Sequence, residues 1–180
     1  MPLTQLLQEK KPRLMERWLQ LIFQSYPPET ARFLKKEKNR FDNPVGFRIS
    51  QGVQGLVEAL LTDAEPGQFT ASLDEIIRIQ ALQNFTPAQA LAFVFLLKNV
   101  IREELGEALK DPHLAEACLE LESRIDGLAL LGFEVYVQRR EKLHEVRLNE
   151  VKNRVSGLLR RSGLTMASLE PDPSPSANLK

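Results

Sequence analysis

The chain has 180 residues, of which 43% are hydrophobic and 27% charged, and its 24 basic and 24 acidic side chains give a net charge of zero. A chain of this length buries about 70% of its unfolded surface when it folds as one domain. The composition argues against a disordered chain, a collagen-like chain and a broadly cationic nucleic-acid binder. We therefore expect a soluble globular protein that binds no nucleic acid.

The cysteine content and the hydropathy pattern indicate where in the cell the protein is expected. Cys118 is the single cysteine, so no internal disulfide forms and a reducing environment is favoured. The first residues lack the charged-then-apolar order of a signal peptide, and the longest apolar run, Ala90 to Leu97, is less than half of a bilayer span. We expect a cytoplasmic protein without membrane insertion.

The first part of the chain predicts helices. Apolar residues recur at three- and four-residue steps from Leu3 to Tyr26, and Pro12 predicts a break between a short helix and a longer one. A short helix is expected over residues 29–38. Asn43-Pro44 then supplies a cap and a first helical residue for a helix ending at Leu61. The glycines of that helix predict close packing against another element, namely Gly46, Gly52 and Gly55.

Two capping motifs mark the next helices. Ser72 and Glu75 have the spacing of a capping box and predict a helix start there, ending near Asn84. Thr86-Pro87-Ala88-Gln89 predicts another start, ahead of a segment that is apolar nearly all round. Such a helix is typical of the centre of a bundle.

The last helical segment begins at Pro112 and meets no further proline before Pro171. A continuous helix to Arg161 would be about 75 Å long at 1.5 Å per residue, which predicts a protruding end. Its first part carries a predicted core and dimer stripe, and its second part a predicted partner-binding seam with coiled-coil spacing. The stripe comprises Leu121, Ile125, Leu128, Leu131 and Val135. The seam comprises Leu148, Val151, Val155 and Leu158. We expect a bundle domain over residues 1–140, a helix extension over 141–162 and a flexible tail over 163–180.

Catalytic and metal-binding patterns are absent from the sequence, including the common zinc, nucleophile and phosphate-loop motifs. His113 and His144 are expected at the surface, and Cys118 as a small core residue with a raised pKa. Carboxylates such as Glu103 and Glu107 are expected to be solvated. We expect no enzyme activity, no metal and no cofactor.

A basic run with interleaved aromatic residues follows the second predicted helix. Cations mixed with rings are able to bind phosphates or bases, but a solvated face or an acidic protein partner is the preferred interpretation because no nucleic-acid motif accompanies the run. The candidate basic patch comprises Arg32, Lys35, Lys36, Lys38 and Arg40, with Phe33 and Phe41 beside it.

Three short motifs together resemble the N-terminal sensor domain of the RsbR and RsbRD stressosome family. They are Arg17-Trp18 on an early helix, Tyr26-Pro27 at its end, and Arg40-Phe41-Asp42-Asn43-Pro44-Val45-Gly46 before the next helix. The resemblance covers about residues 3–140. It implies a globin-like fold without haem, a homodimer, and a long last helix that leads into a signalling domain. Here that helix is followed by about 20 tail residues, so we expect the signal to pass to a separate protein.

Haem binding is the specific alternative to the haem-less fold that the resemblance implies. Counting helices as in a globin places the proximal ligand between Phe69 and Asn84, and this segment contains no His, Cys, Met or Tyr. A haem-less cavity for a small apolar ligand stays open, with Phe85, Phe93, Phe95 and Phe133 as its lining, although aromatic residues at this helical spacing are more often plain core. Our first hypothesis is an all-α, globin-like, non-catalytic sensor or adaptor that dimerises through its last two helices. Its alternative is a binding protein for an apolar ligand or haem.

Overall fold

The computed structural model describes residues 2–36, 39–62, 64 and 66–161. These residues form helices and no strand, which confirms the predicted all-α bundle. The globin-like arrangement implied by the resemblance stays a prediction. None of the helices in this part of the chain is long and apolar enough to span a membrane. The elements are α1 (Leu3–Gln24), α2 (Pro28–Lys36), α3 (Pro44–Leu61), α4 (Pro66–Leu82), α5 (Pro87–Leu105), a 3₁₀ helix (Gly106–Lys110) and α6 (Pro112–Arg161).

The helix α1 runs without interruption through Pro12, so the predicted break there is wrong. A proline inside a helix removes one backbone hydrogen bond and costs about 3 kcal/mol. Buried apolar residues lie on the same helix both before and after the proline, and their packing outweighs that cost. They are Leu3, Leu7, Leu14, Trp18, Ile22 and Phe23.

The helix α3 begins as predicted, because the Asn43 side chain accepts a hydrogen bond of 2.8 Å from the Gly46 amide. It then packs closely on α4. A Cβ atom placed on Gly52 would lie 2.6 Å from Ile76 Cγ1, and one on Gly55 would lie 2.3 Å from Ser72 Oγ. Ser72 is therefore a contact residue inside α4, which begins at Pro66, and the predicted helix start at Ser72 is wrong.

The helix α5 is the centre of the bundle and has the predicted capping box between Thr86 and Gln89. It contacts both α1 and α4. Because two neighbours cover it, its buried residues lie on most of its circumference. They are Ala90, Leu91, Phe93, Val94, Leu97, Val100, Ile101 and Leu105.

The helix α6 is continuous over Pro112–Arg161, and the chain divides within it into two compact units, residues 1–140 and 141–180. In the first unit, the Tyr136 hydroxyl donates a 2.6 Å hydrogen bond to the Phe85 carbonyl, and Arg139 pairs with Asp74 through two 2.5 Å contacts. The second unit is described over residues 141–161, where nearly every side chain is exposed or partly exposed. The predicted flexible tail, residues 163–180, lies outside the described residues.

Candidate functional site

The residues with catalytic or metal-binding chemistry are dispersed. His113 and His144 are both exposed, as predicted. Cys118 is buried on α6, and burial raises the pKa of its thiol, with the neighbouring Glu122 carboxylate adding to the rise. Within the described part of the chain, no three His, Cys, Asp or Glu side chains are grouped to hold a metal ion.

The ion pair of Arg102 and Glu122 has a structural role. Arg102 donates two hydrogen bonds to the Glu122 carboxylate, at 2.5 and 2.8 Å, and these bonds lower the pKa of Glu122. Glu122 itself is 8% exposed, so the guanidinium satisfies a carboxylate that has lost most of its water. The pair fixes α5 against α6 and leaves no reactive group facing a cleft.

The residues of the predicted dimer stripe are mostly covered by the chain's own bundle. Leu121, Ile125, Leu128 and Val135 are buried inside the chain's own core, and Leu131 is partly buried against it. A side chain already covered by its own bundle offers little surface to a second copy. The spacing correctly predicted one buried face of α6, but that face packs on the same chain.

A different face of α6 is apolar and exposed. Leu119, Leu130 and Phe133 lie within about 60° of one another around the helix axis at 3.6 residues per turn. All three are exposed, and Leu130 is 74% exposed. We call these three residues, together with Phe95 of α5, the outer face.

Ion pairs set the position of Phe95 relative to this face. Lys98 Nζ lies 2.7 Å from Asp126 Oδ1, and Arg102 pairs with Glu122, so α5 and α6 run antiparallel with a fixed register. That register places Phe95, three residues before Lys98, level with Leu130. The sequence analysis placed Phe95 and Phe133 in the interior, whereas both are exposed, and their mostly apolar sequence neighbours gave no signal for a surface.

The four phenylalanines of the expected cavity lie in different surroundings. Phe93 is buried against Trp18, with 6.0 Å between ring centroids, and Phe85 packs on Tyr26 at 5.2 Å. Phe95 and Phe133 are exposed. Phe93 is thus a core residue and Phe85 is partly buried against the core, and each has a ring partner.

The predicted seam in the second unit is exposed along its length. Leu148, Val151, Val155 and Leu158 are all exposed, and Leu158 is 64% exposed. Their steps of three, four and three place them on one side of the helix. The segment 141–161 therefore presents an apolar stripe with no partner among its own described residues.

The basic patch is present at the surface. Arg32, Lys35, Lys36 and Arg40 are exposed and form no ion pair with a described residue, and Lys38 lies outside the described residues. Phe33 and Phe41 are exposed beside them. The Arg40 guanidinium lies 5.6 Å from the centre of the Phe47 ring, a cation–π arrangement.

The motifs behind the family resemblance have identifiable structural roles. Trp18 Nε1 donates a 2.7 Å hydrogen bond to the Phe93 carbonyl, and Tyr26 is buried at the end of α1. Asn43 caps α3 and also donates through Nδ2 to the Leu34 carbonyl at 3.2 Å. These residues join α1 to α5 and α2 to α3, so they specify the fold.

Comparison with known proteins agrees with this assignment. The search of curated proteins and the search of solved structures each found no match. A family model described as the RsbT co-antagonist protein RsbRD N-terminal domain matches residues 12–151, well over half of the chain. The chain therefore belongs to the RsbRD N-terminal domain family.

Proposed function

We propose that this chain is a non-catalytic, cytoplasmic sensor or adaptor module that forms a homodimer and relays a signal to a separate protein through its last helix. Membership of a sensor and signalling family supports the general role. The observation that carries the specific proposal is the outer face, an exposed apolar surface on the first unit. Clusters of exposed apolar side chains often mark interaction sites on soluble proteins.

The shape of the outer face favours a symmetric dimer. Its residues lie on two neighbouring antiparallel helices, with the Lys98–Asp126 ion pair between them. Two copies related by a twofold axis would bring the same residues of each copy together, so that Leu130 and Phe133 pack near their counterparts. Polar neighbours such as Ser123 then form the rim, as is usual for protein interfaces.

The test is the oligomeric state of charge variants in sedimentation equilibrium. We expect the wild-type chain to be a dimer and Leu130→Glu/Phe133→Glu to be a folded monomer, because two carboxylates at the centre of an apolar contact lose their water without a partner. Leu82→Glu is the matched control, since Leu82 is also exposed but lies on α4. A double variant that keeps its circular dichroism and remains dimeric would contradict this surface.

The relay role is supported by the exposed seam of residues 141–161. A helix stripe of this kind binds by laying its apolar side chains into a groove or against another helix. The same segment carries six basic and three acidic side chains, so a partner with an acidic rim fits it best. This signalling route needs no catalytic group on the chain itself.

Its test uses two matched double variants. Leu148→Glu/Val155→Glu places two charges in the seam, whereas Asn149→Glu/Asn153→Glu adds the same charges outside it. A partner is first isolated with the tagged wild-type chain and then purified and titrated against all three proteins. We expect the seam variant to lose binding and the control to keep it. Equal binding by both variants would remove the seam from the relay.

A small apolar ligand is the second candidate function. A cavity of about 240 Å³ lies between α1, α3 and α6, and its apolar wall includes Leu7, Leu60 and Leu121. Native mass spectrometry of the purified chain should then show a bound small molecule, and Ala117→Phe should displace it by filling the cavity. A ligand-free wild-type spectrum, together with no binding of added decanoate, would reject this candidate.

A further inference from the structure

A larger cleft opens between α3, α4 and the loop that precedes α3. Its volume is about 750 Å³, within the range of small-molecule sites. The loop contributes Arg40 and Phe41, α3 contributes Phe47, Arg48 and Gln51, and α4 contributes Glu75. Neither the outer face nor the seam includes any of these residues.

Two aromatic rings line this cleft. The Phe41 side chain is 87% exposed, an unusual position for a large apolar ring. Phe47 is half-buried, and the Arg40 guanidinium lies over its ring at 5.6 Å. An exposed ring beside a guanidinium-capped ring is able to stack on a planar ligand, since every nucleobase presents a π-face.

The polar side chains of the cleft favour an anion. Arg40 forms no ion pair with a described residue, and Arg48 donates through Nη1 to Glu75 Oε2 at 3.1 Å, which leaves its other N–H groups available. The guanidinium group presents paired donors that match the geometry of phosphate oxygens.

Hydrogen-bonding groups complete the set. The exposed Gln51 side chain makes no hydrogen bond to a described residue, so its amide has both a donor and an acceptor to offer. The Glu75 carboxylate has lone pairs beyond its contact with Arg48, and these are able to accept from hydroxyl or amino groups. The cleft thus combines aromatic rings for stacking, cations for binding phosphate, and side chains that form hydrogen bonds with the polar groups of a ligand.

We propose that the cleft between α3 and α4 binds a nucleotide. The base stacks on Phe41, the phosphates pair with Arg40 and Arg48, and Gln51 and Glu75 bond to the base edge or the ribose hydroxyls. This inference is independent of the proposed dimer and relay, because the cleft lies on other residues.

The test is isothermal titration of the purified full chain with ATP, GTP and UTP, with adenosine and inorganic triphosphate as partial ligands. We expect at least one nucleotide to bind and each partial ligand to bind at least tenfold more weakly, because each retains only part of the recognition. Absence of binding by all three nucleotides would overturn the proposal. So would equal binding of adenosine, or preferential binding of single-stranded oligonucleotides over the mononucleotides.

Matched variants locate the site. Phe41→Ala/Arg40→Gln removes one ring and one cation from the cleft, and Phe33→Ala/Arg32→Gln removes the same two residue types from α2, outside it. Loss of one stacking ring alone weakens base binding by about tenfold or more. We expect that loss in the first variant and unchanged affinity in the second. All four side chains are exposed, so both variants should fold, and an equal effect of the two would contradict this location.

Discussion

Trp18 and Phe93 are joined twice across the interface of α1 and α5. The indole N–H donates a 2.7 Å hydrogen bond to the Phe93 carbonyl, and the two rings stack with centroids 6.0 Å apart. Trp18 is 1% exposed, so its single polar atom has a partner deep in the core. One side chain thereby satisfies both the packing and the hydrogen bonding of this contact.

Trp18→Phe should lower the free energy of unfolding by about 2–4 kcal/mol, because it leaves a small cavity and removes a buried hydrogen bond. Urea denaturation followed by far-UV circular dichroism measures this, since Trp18 is the single tryptophan and its removal abolishes that fluorescence signal. Phe41→Leu, at an exposed ring, is the control and should change stability by less than about 0.5 kcal/mol. A stability change of Trp18→Phe as small as that of the control would contradict this contribution of Trp18.

Two glycines make a matched pair for testing the contact between α3 and α4. A Cβ on Gly52 would lie 2.6 Å from Ile76 Cγ1 and 2.9 Å from the Ser72 carbonyl oxygen, whereas a Cβ on Gly127 would meet no atom within 4 Å. We expect Gly52→Ala to destabilise by about 1–3 kcal/mol through overpacking. Gly127→Ala should stabilise by up to about 1 kcal/mol, because alanine favours the helix. Thermal melts of both variants compare the signs directly, and stabilisation by both would contradict the close packing.

Ionisation of the buried Tyr26 hydroxyl should lower the stability of the fold at alkaline pH. Burial raises the pKa of its hydroxyl to about 12, partly opposed by the neighbouring Gln80. Because the folded pKa exceeds the ordinary value near 10, the unfolded chain loses this proton first as pH rises. The stabilising contribution is therefore complete below pH 10 and is lost between about 10 and 12.

Tyr26→Phe isolates this effect. The Tyr26 hydroxyl has no hydrogen-bond partner among the described residues, so its removal at pH 7 should change stability by less than about 1 kcal/mol. Between pH 9 and 11 the variant should lose less stability than the wild type. Parallel pH profiles of the two proteins, measured by urea denaturation, would show that Tyr26 does not control this range.

Protonation of the Glu122 carboxylate should lower the stability of the fold at acid pH. Hydrogen bonds from Arg102 lower the pKa of its carboxyl, so the ionised pair stabilises the fold above the unfolded value near 4.5. That contribution is lost as pH falls through the folded pKa. Glu122→Gln should therefore have a lower melting temperature than the wild type at pH 7, with a smaller difference at pH 3. Glu120→Gln controls for the loss of one negative charge, and a constant difference across pH would contradict the role of this pair.

Local capping chemistry was readable from the sequence, whereas tertiary choices were not. The side chains of Asn43 and Thr86 each accept a hydrogen bond from the amide three residues later. Because both partners are close in the sequence, the two helices begin where predicted. Pro12 and Ser72 were misread because the fold places each inside a helix, where packing on other elements decides. A local pattern records the preference of a few residues and not the contacts that override it.

The candidate surfaces illustrate the same limit. The stripe from Leu121 to Val135 correctly indicated a buried face, but its periodicity is the same whether the covering surface is the chain itself or a second copy. The outer face was missed because Leu119, Leu130 and Phe133 lie beside core residues of the same helix in the sequence, so no local pattern separates the exposed apolar positions from the buried ones. Only the register set by Lys98 and Asp126 brings Phe95 level with it.

The anchors of α6 near its middle constrain how that helix is able to move. Tyr136 is tied to the turn after α4, and Arg139 to α4 itself, by hydrogen bonds to Phe85 and Asp74. A slide by one helical turn, about 5.4 Å, would break both at once and leave the Phe85 carbonyl without this donor. The two contacts therefore oppose any sliding of this part of α6 along its own axis.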